Sequence, residues 1–371
     1  MMPAVTRKKG ERDVRRARRG GGKAAEITVL AVVIAVSGVV VTMLGDDEEP
    51  QQTAAVMAPE GLTVNRQPQA EFAAANVSAG DFTYERIADP ARTVVRDADG
   101  RVRATLTDGA RTVVTYGARR RLAEDQFPGA AVNTTAYVHL LPRPWQQGMR
   151  SEPWFGDWLR KKMSGRQPDL LAIGMQYVDG VPDKRDANGV RTRGDASFGP
   201  LNPESRIGRD QQNDFYDYLG ISWDFGAEGV QYPERRRYGA VDCSGYVRLV
   251  YGYRGGYPLS STATATAALP RRAHEIGTVG PGIQIIPDRQ VKATAYGRLQ
   301  PGDLLFFDND PTTGPRLDHV GIYLGIDTEG HHRFLSSRAK VDGPTMSDVG
   351  GASLLDSGGL YSRAFRSAKR L

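Results

Sequence analysis

An α+β domain with a helix-borne cysteine packed on an antiparallel sheet, preceded by a transmembrane helix and a small β-rich domain, is the fold that three observations predict. In Gly239–Gly252, the residues Val247, Leu249 and Val250 form an apolar helical stripe behind Asp242-Cys243-Ser244. Strand-like runs follow at Leu304–Phe307 and His319–Gly325. Far upstream, Ile27–Leu44 is a run of 18 residues without a charge.

The cysteine stretch comes first because it holds the only cysteine of the 371 residues. Asp242 stands where a helix would begin, so the sulfur is expected near the positive helix end, where a thiol pKa falls. A thiolate nucleophile needs a base, and His319 is the best placed histidine. It leads a strand whose Val320, Ile322 and Leu324 share one face. A helix-borne Cys followed by a strand-borne His suits nucleophilic acyl transfer. The bland readings are an inert core cysteine and a strand-end histidine bonded to a backbone carbonyl.

One cysteine excludes a disulfide framework within the chain and speaks against a cysteine-rich zinc site. The formal charge of +6 is concentrated in residues 1–23, a basic tail with nine Lys or Arg against Glu11 and Asp13. The remaining 40 basic and 41 acidic residues nearly cancel, which speaks against a nucleic-acid groove. Residues 24–45 are read as a transmembrane helix, inserted in the membrane. Basic residues precede it and Asp46-Asp-Glu-Glu49 follows, so the N-terminus is expected in the cytoplasm and the rest outside. A cleaved signal peptide is the alternative, disfavoured by the length of the apolar run and the acidic residues after it. Residues 46–79 read as a linker.

A small β-rich domain is expected over 80–165. Arg92–Val95, Arg101–Leu106, Arg111–Tyr116 and Val132–Leu141 read as strands, with turns at Asp97–Gly100 and Thr107–Gly109. Trp145, Trp154, Phe155 and Trp158 read as the cap of a small core rather than a sugar-stacking surface, and His139 as structural. Residues 166–214 form a connector, in which Leu170–Tyr177 is either a strand or a short helix. The catalytic domain is placed at 215–371. Within it a modest helix is expected over Ser260–Ala268, Arg271 is read as polar surface, and Asp303 as a turn acceptor.

Four blocks carry a family resemblance: Asp242-Cys-Ser-Gly245, Leu299-Gln-Pro-Gly-Asp-Leu-Leu-Phe-Phe307, His319-Val-Gly-Ile-Tyr-Leu-Gly325 and Phe334-Leu-Ser-Ser337. In order and spacing, about residues 215–345 resemble the NlpC-type cysteine peptidases, papain-like bacterial cell-wall endopeptidases. The resemblance implies peptidoglycan stem peptides as substrate, commonly cut between D-glutamate and the diamino acid, with no metal or organic cofactor. It implies a third catalytic residue, His, Asn or Gln, where Ser336 stands, with His332 on the same strand face as an alternative. It also implies a tyrosine facing the nucleophile, for which the nearest matches are Ser222 and Trp223. These two, with Asp242 and Ser244, are expected to line the substrate cleft. The rival readings are another acyl chemistry on the same fold (amidase or acyltransferase), an inactive wall-binding protein, and a component of an envelope assembly that uses 80–165 to hold a protein partner.

Overall fold

The computed structural model describes residues 82–371 apart from 265, 266, 311 and 313. The expected basic tail, membrane helix and linker lie outside the described residues. Among the described residues no helix is long and apolar enough to cross a membrane.

The chain enters as an antiparallel meander in sequence order: β1 (Thr83–Ile87), β2 (Arg92–Arg96), β3 (Val102–Thr107), β4 (Thr112–Glu124) and β5 (Phe127–Leu140). Its turns fall at the expected places, with Gly100 and Gly109 in the left-handed region at φ 77° and 79°. One end of this sheet is covered by α1 (Pro153–Ser164), where Phe155 and Leu159 meet Val95, Leu106 and Trp145 in a buried core. The aromatic group is that core: the Trp145 and Phe155 rings lie 4.9 Å apart and both are fully buried. His139 is buried too, and burial pushes its pKa down to about 4.

The β4–β5 hairpin is longer than the sequence suggested. It feeds two cores, Val113 entering the first and Val114 the second. Leu122, Val132, Ala136 and Val138 pack in one cluster with Cys243, Val247, Val320 and Ile322. The β-rich segment and the α+β segment therefore bury side chains into a common core. Asp169 fastens them by accepting from Val138 N–H at 2.7 Å and from Arg120 at 2.6 Å. Asp169 is also the N-cap of α2 (Leu170–Gly174), so the strand-or-helix alternative resolves as helix. The rest of the connector carries the small hairpin β6 (Lys184–Arg185) and β7 (Arg191–Arg193) and buries Tyr177, Ala196 and Phe198.

Next come α3 (Phe215–Leu219), the ribbon β8 (Trp223–Asp224) and β9 (Val230–Gln231), and α4 (Cys243–Val247), which widens into a π-helical turn over Arg248–Arg254. Instead of an apolar stripe, every residue from Cys243 to Gly252 is buried. After α5 (Ala273–Thr278) the chain builds a mixed-order, antiparallel six-stranded sheet. Its strands are β10 (Ile283–Ile286), β11 (Leu304–Phe307), β12 (His319–Ile326), β13 (His332–Arg338), β14 (Gly343–Thr345) and β15 (Phe365–Arg370), in the order β10-β15-β11-β12-β13-β14. A short α6 (Leu360–Ala364) leads into β15. Val320, Ile322 and Leu324 share the core with α4, as their alternation predicts. Phe307, Tyr323, Phe334, Tyr361 and Phe365 form a separate core cluster. Asp303 is the expected turn acceptor, taking Gln300 N–H at 2.8 Å, and it also pairs with buried Arg370 at 2.7 Å.

The helix expected over Ser260–Ala268 is absent from the described residues there. The physical reason lies in Arg248. Its fully buried guanidinium takes the carbonyls of Ser260 and Leu269, at 2.8 and 2.6 Å, and the Asp214 carboxylate at 3.0 Å. The buried cation thus holds this segment as a bent loop around itself.

Candidate active site

The site is organised by the start of α4. Asp242 caps it, accepting Gly245 N–H at 2.7 Å, as the sequence predicts for this position. Ser244 Oγ donates to Asp242 at 3.0 Å and accepts from Arg271 at the same distance. Arg271, read as surface from sequence, is instead largely buried. It pairs with Asp242 at 2.9 Å and with Asp214 at 3.4 Å. Burial alone would raise the Asp242 pKa, but the Arg271 charge and the hydrogen bonds outweigh it and hold the carboxyl below its usual range. Asp242 and Ser244, both buried, thus secure the start of the helix that carries Cys243 through this network.

Cys243 sits at the sheet's end. Its Sγ lies 4.0 Å from the Asp318 carbonyl oxygen and takes a hydrogen bond from Val320 N–H. The sulfur is therefore against the peptide on either side of His319. No hydrogen bond between Sγ and the His319 ring occurs among the described residues, and His319 Nε2 is buried without a partner. Burial decides the protonation of both groups. It pushes the Cys243 thiol up to about 12, helped by the Asp242 charge, and the His319 imidazole down to about 3, helped by the Arg338 cation. The expected depression of the thiol pKa is thus corrected: desolvation exceeds the helix-start effect, and the pair rests as neutral thiol and neutral imidazole.

The two candidates for the third position are separated by register. Tyr323 pairs with Phe334 and Ile322 with Leu335, so continuing the ladder sets Ser336 opposite Gly321 and Arg338 opposite His319. Ser336 is close to His319 along the strands, yet its buried Oγ has no hydrogen-bond partner. His332 pairs with Ile326 at the far end of β12, roughly 20 Å from His319 at a strand's rise per residue. Its Nδ1 shares a hydrogen bond of 2.7 Å with the Tyr323 hydroxyl, and its ring lies against Tyr296. The alternative that His332 orients His319 is thereby corrected, because the strand carries it away from that ring.

Around His319 the structure brings two residues that sequence reasoning missed. The Tyr361 ring lies 5.3 Å from the imidazole, and the Arg338 guanidinium carbon 5.1 Å from the Tyr361 ring. Neither belongs to a motif; Tyr361 follows the glycine-rich Ser357-Gly-Gly359 and carries no periodic signal. Of the two expected cleft residues upstream, Ser222 is exposed, while Trp223 packs on Phe215 and Tyr253, at 5.2 and 5.6 Å. A cavity of about 280 Å³ opens on the Arg271 side of the α4 start, lined by Asp214, Tyr216, Asp217, Tyr232, Arg237 and Arg271; neither Cys243 nor His319 lines it. Among the described residues no group of three or more His, Cys, Asp or Glu is placed to hold a metal.

Comparison with known proteins finds no match among curated proteins and none among solved structures. It does find a family. Its members are typically cysteine peptidases of papain-like fold that act on the cell wall. Residues 220–366, which carry Cys243, His319, Ser336 and Tyr361, match the NlpC/P60 family, and this segment of the chain is an NlpC/P60 family domain.

Proposed function

We propose that this chain is a membrane-anchored cysteine endopeptidase that hydrolyses peptidoglycan stem peptides, at the bond between D-glutamate and the diamino acid. The observation that carries the reading is the seat of Cys243 at a capped helix start, its sulfur packed against the peptides flanking His319, within a segment of a cell-wall hydrolase family.

In this reading Cys243 Sγ attacks the scissile carbonyl carbon while its proton passes to the neutral His319 imidazole, so ionisation and attack occur together. The Cys243 backbone N–H helps hold the oxyanion. His319 then protonates the leaving amine, the C–N bond of the tetrahedral intermediate breaks, and a thioester on Cys243 remains. Water adds to the thioester carbonyl and gives a proton to His319; the C–S bond then breaks, the acyl group leaves as a carboxylic acid, and the sulfur takes the proton back from His319. The cavity of mixed charge beside α4 suits a peptide that bears both carboxylates and an amine, and the Tyr232–Arg237 loop lines it. Anchoring through residues 24–45, with the N-terminus in the cytoplasm, would hold the domain beside the wall.

A second reading, a wall-binding component with little activity, draws on the closed, uncharged state of the Cys243–His319 pair. One experiment separates the two. The full chain is incubated with isolated peptidoglycan and the products are identified by mass spectrometry. Peptide fragments ending at D-glutamate, absent with Cys243→Ala, are expected. Wall binding without any product from folded protein would establish the second reading, and products cut at the glycan-peptide junction would reassign the bond to an amidase.

A further inference from the structure

An imidazole that takes a proton from sulfur and returns it to an amine must be held in one plane, normally by a polar group on its second nitrogen. Here the polar candidates fail. Ser336 Oγ makes no hydrogen bond, His319 Nε2 has none either, and His332 is engaged elsewhere. Aromatic faces hold the ring instead. Tyr361 lies 5.3 Å from it at 36° and Phe307 5.7 Å at 52°. Tyr361 is fixed in turn, edge-on to Phe334 at 5.4 Å and beside the Arg338 guanidinium. Arg338 is 2 % exposed and anchored to the chain between β14 and α6, donating to the Ser347 carbonyl at 3.1 Å, to Ser353 Oγ at 2.6 Å and to the Gly351 carbonyl. That chain arrives held by the hairpin, since Glu124 accepts from the N–H groups of Met346 and Ser347.

We propose that Tyr361, clamped by Arg338, is the positioning residue of His319, performing by ring packing what a hydrogen-bonded third residue does in other Cys-His sites. The proposal rests on the reading of Cys243 and His319 as the reacting pair. The titratable and charged groups that act on His319 or adjoin it are Arg338 from β13, Tyr361 from α6, Asp242 and Cys243 from α4, and Asp318 beside it in the chain. An aromatic wall of this kind keeps water off the imidazole as well as fixing its plane.

The test uses the full chain with ¹³Cε1-labelled histidine, whose five residues give five signals, the one lost in His319→Ala belonging to His319. Tyr361→Phe keeps the ring and should stay within about 3-fold of wild-type turnover. Tyr361→Leu should lower kcat by roughly 10- to 100-fold with KM little changed, and should move the His319 titration up toward the ordinary value of about 6.5. Arg338→Lys, which keeps the charge but not the anchoring contacts, should show the same two changes more weakly. Wild-type or higher activity in Tyr361→Leu would mean that the ring only obstructs the site, and would overturn the proposal. So would a loss of activity with the His319 titration unmoved, which is the signature of general damage. If the wild type releases nothing from peptidoglycan, the peptidase reading fails by itself, and an unmoved titration in Tyr361→Leu would still overturn the proposal while a moved one would uphold the clamp.

Discussion

Glu124 and Ser347 meet at the tip of the β4–β5 hairpin, where the buried carboxylate accepts the Ser347 N–H at 3.0 Å. The same oxygen takes Met346 N–H at 2.5 Å and Thr345 Oγ1 at 2.7 Å. The β-rich segment therefore terminates the end of β14 much as a cap terminates a helix, and does so beside the residues that anchor Arg338.

Removing this contact should destabilise the whole molecule. Glu124→Ala leaves the buried Met346 N–H unpaired, while Ser347 N–H keeps Thr345 Oγ1 at 3.0 Å, and is expected to cost about 1–3 kcal/mol in denaturant unfolding. Glu124→Gln keeps a carbonyl acceptor, so about 1 kcal/mol is expected. A fragment beginning at Phe215 lacks Leu122, Val132 and Val138 from the shared core and should fail to unfold cooperatively.

The Asp242–Arg271 pair makes a pH-dependent contribution. Because the Asp242 pKa is lowered on folding, its stabilisation is present above the unfolded value of about 3.9 and lost as pH falls through the folded one. Arg271→Met leaves Asp242 without its cation, while Asp214 keeps Arg248, and should cost about 3–5 kcal/mol at pH 7. The gap to wild type should narrow below pH 4. A constant gap from pH 7 to pH 3 would show that the loss is one of packing.

Alkylation reads the thiol directly. With its pKa pushed up to about 12, native Cys243 should react slowly with iodoacetamide at pH 7, and the rate should still be rising at pH 10. Denatured protein should instead level off above the ordinary thiol value of about 8.5. A native plateau near pH 6 would show that the ion pair expected from the helix start is present after all.

Two substitutions decide the third position. His332→Ala breaks a hydrogen bond to Tyr323 far from the sulfur, and Ser336→Ala removes an unpartnered hydroxyl. Each is expected to change kcat/KM by less than about 3-fold, measured on purified muropeptides. A loss of 100-fold in Ser336→Ala would restore the hydroxyl as the orienting group.

Elements whose cause is local were legible along the chain. Asp242 caps α4 because a carboxylate one residue before a helix finds its free N–H groups, and Val320, Ile322 and Leu324 face the core because a strand alternates. The order of the motif blocks pointed to the family that residues 220–366 match. Tertiary structure decided everything that depended on what lies next to what. Arg271 looks like a surface charge until Asp242 and Asp214 arrive beside it from other parts of the chain. The thiol of Cys243 and the imidazole of His319 are set by desolvation, which no window of sequence contains. Tyr361 reaches His319 only because β13, β14 and α6 fold back over the end of β12. A side chain's partner across a sheet follows from the path of the chain, and the residue alone carries no record of it.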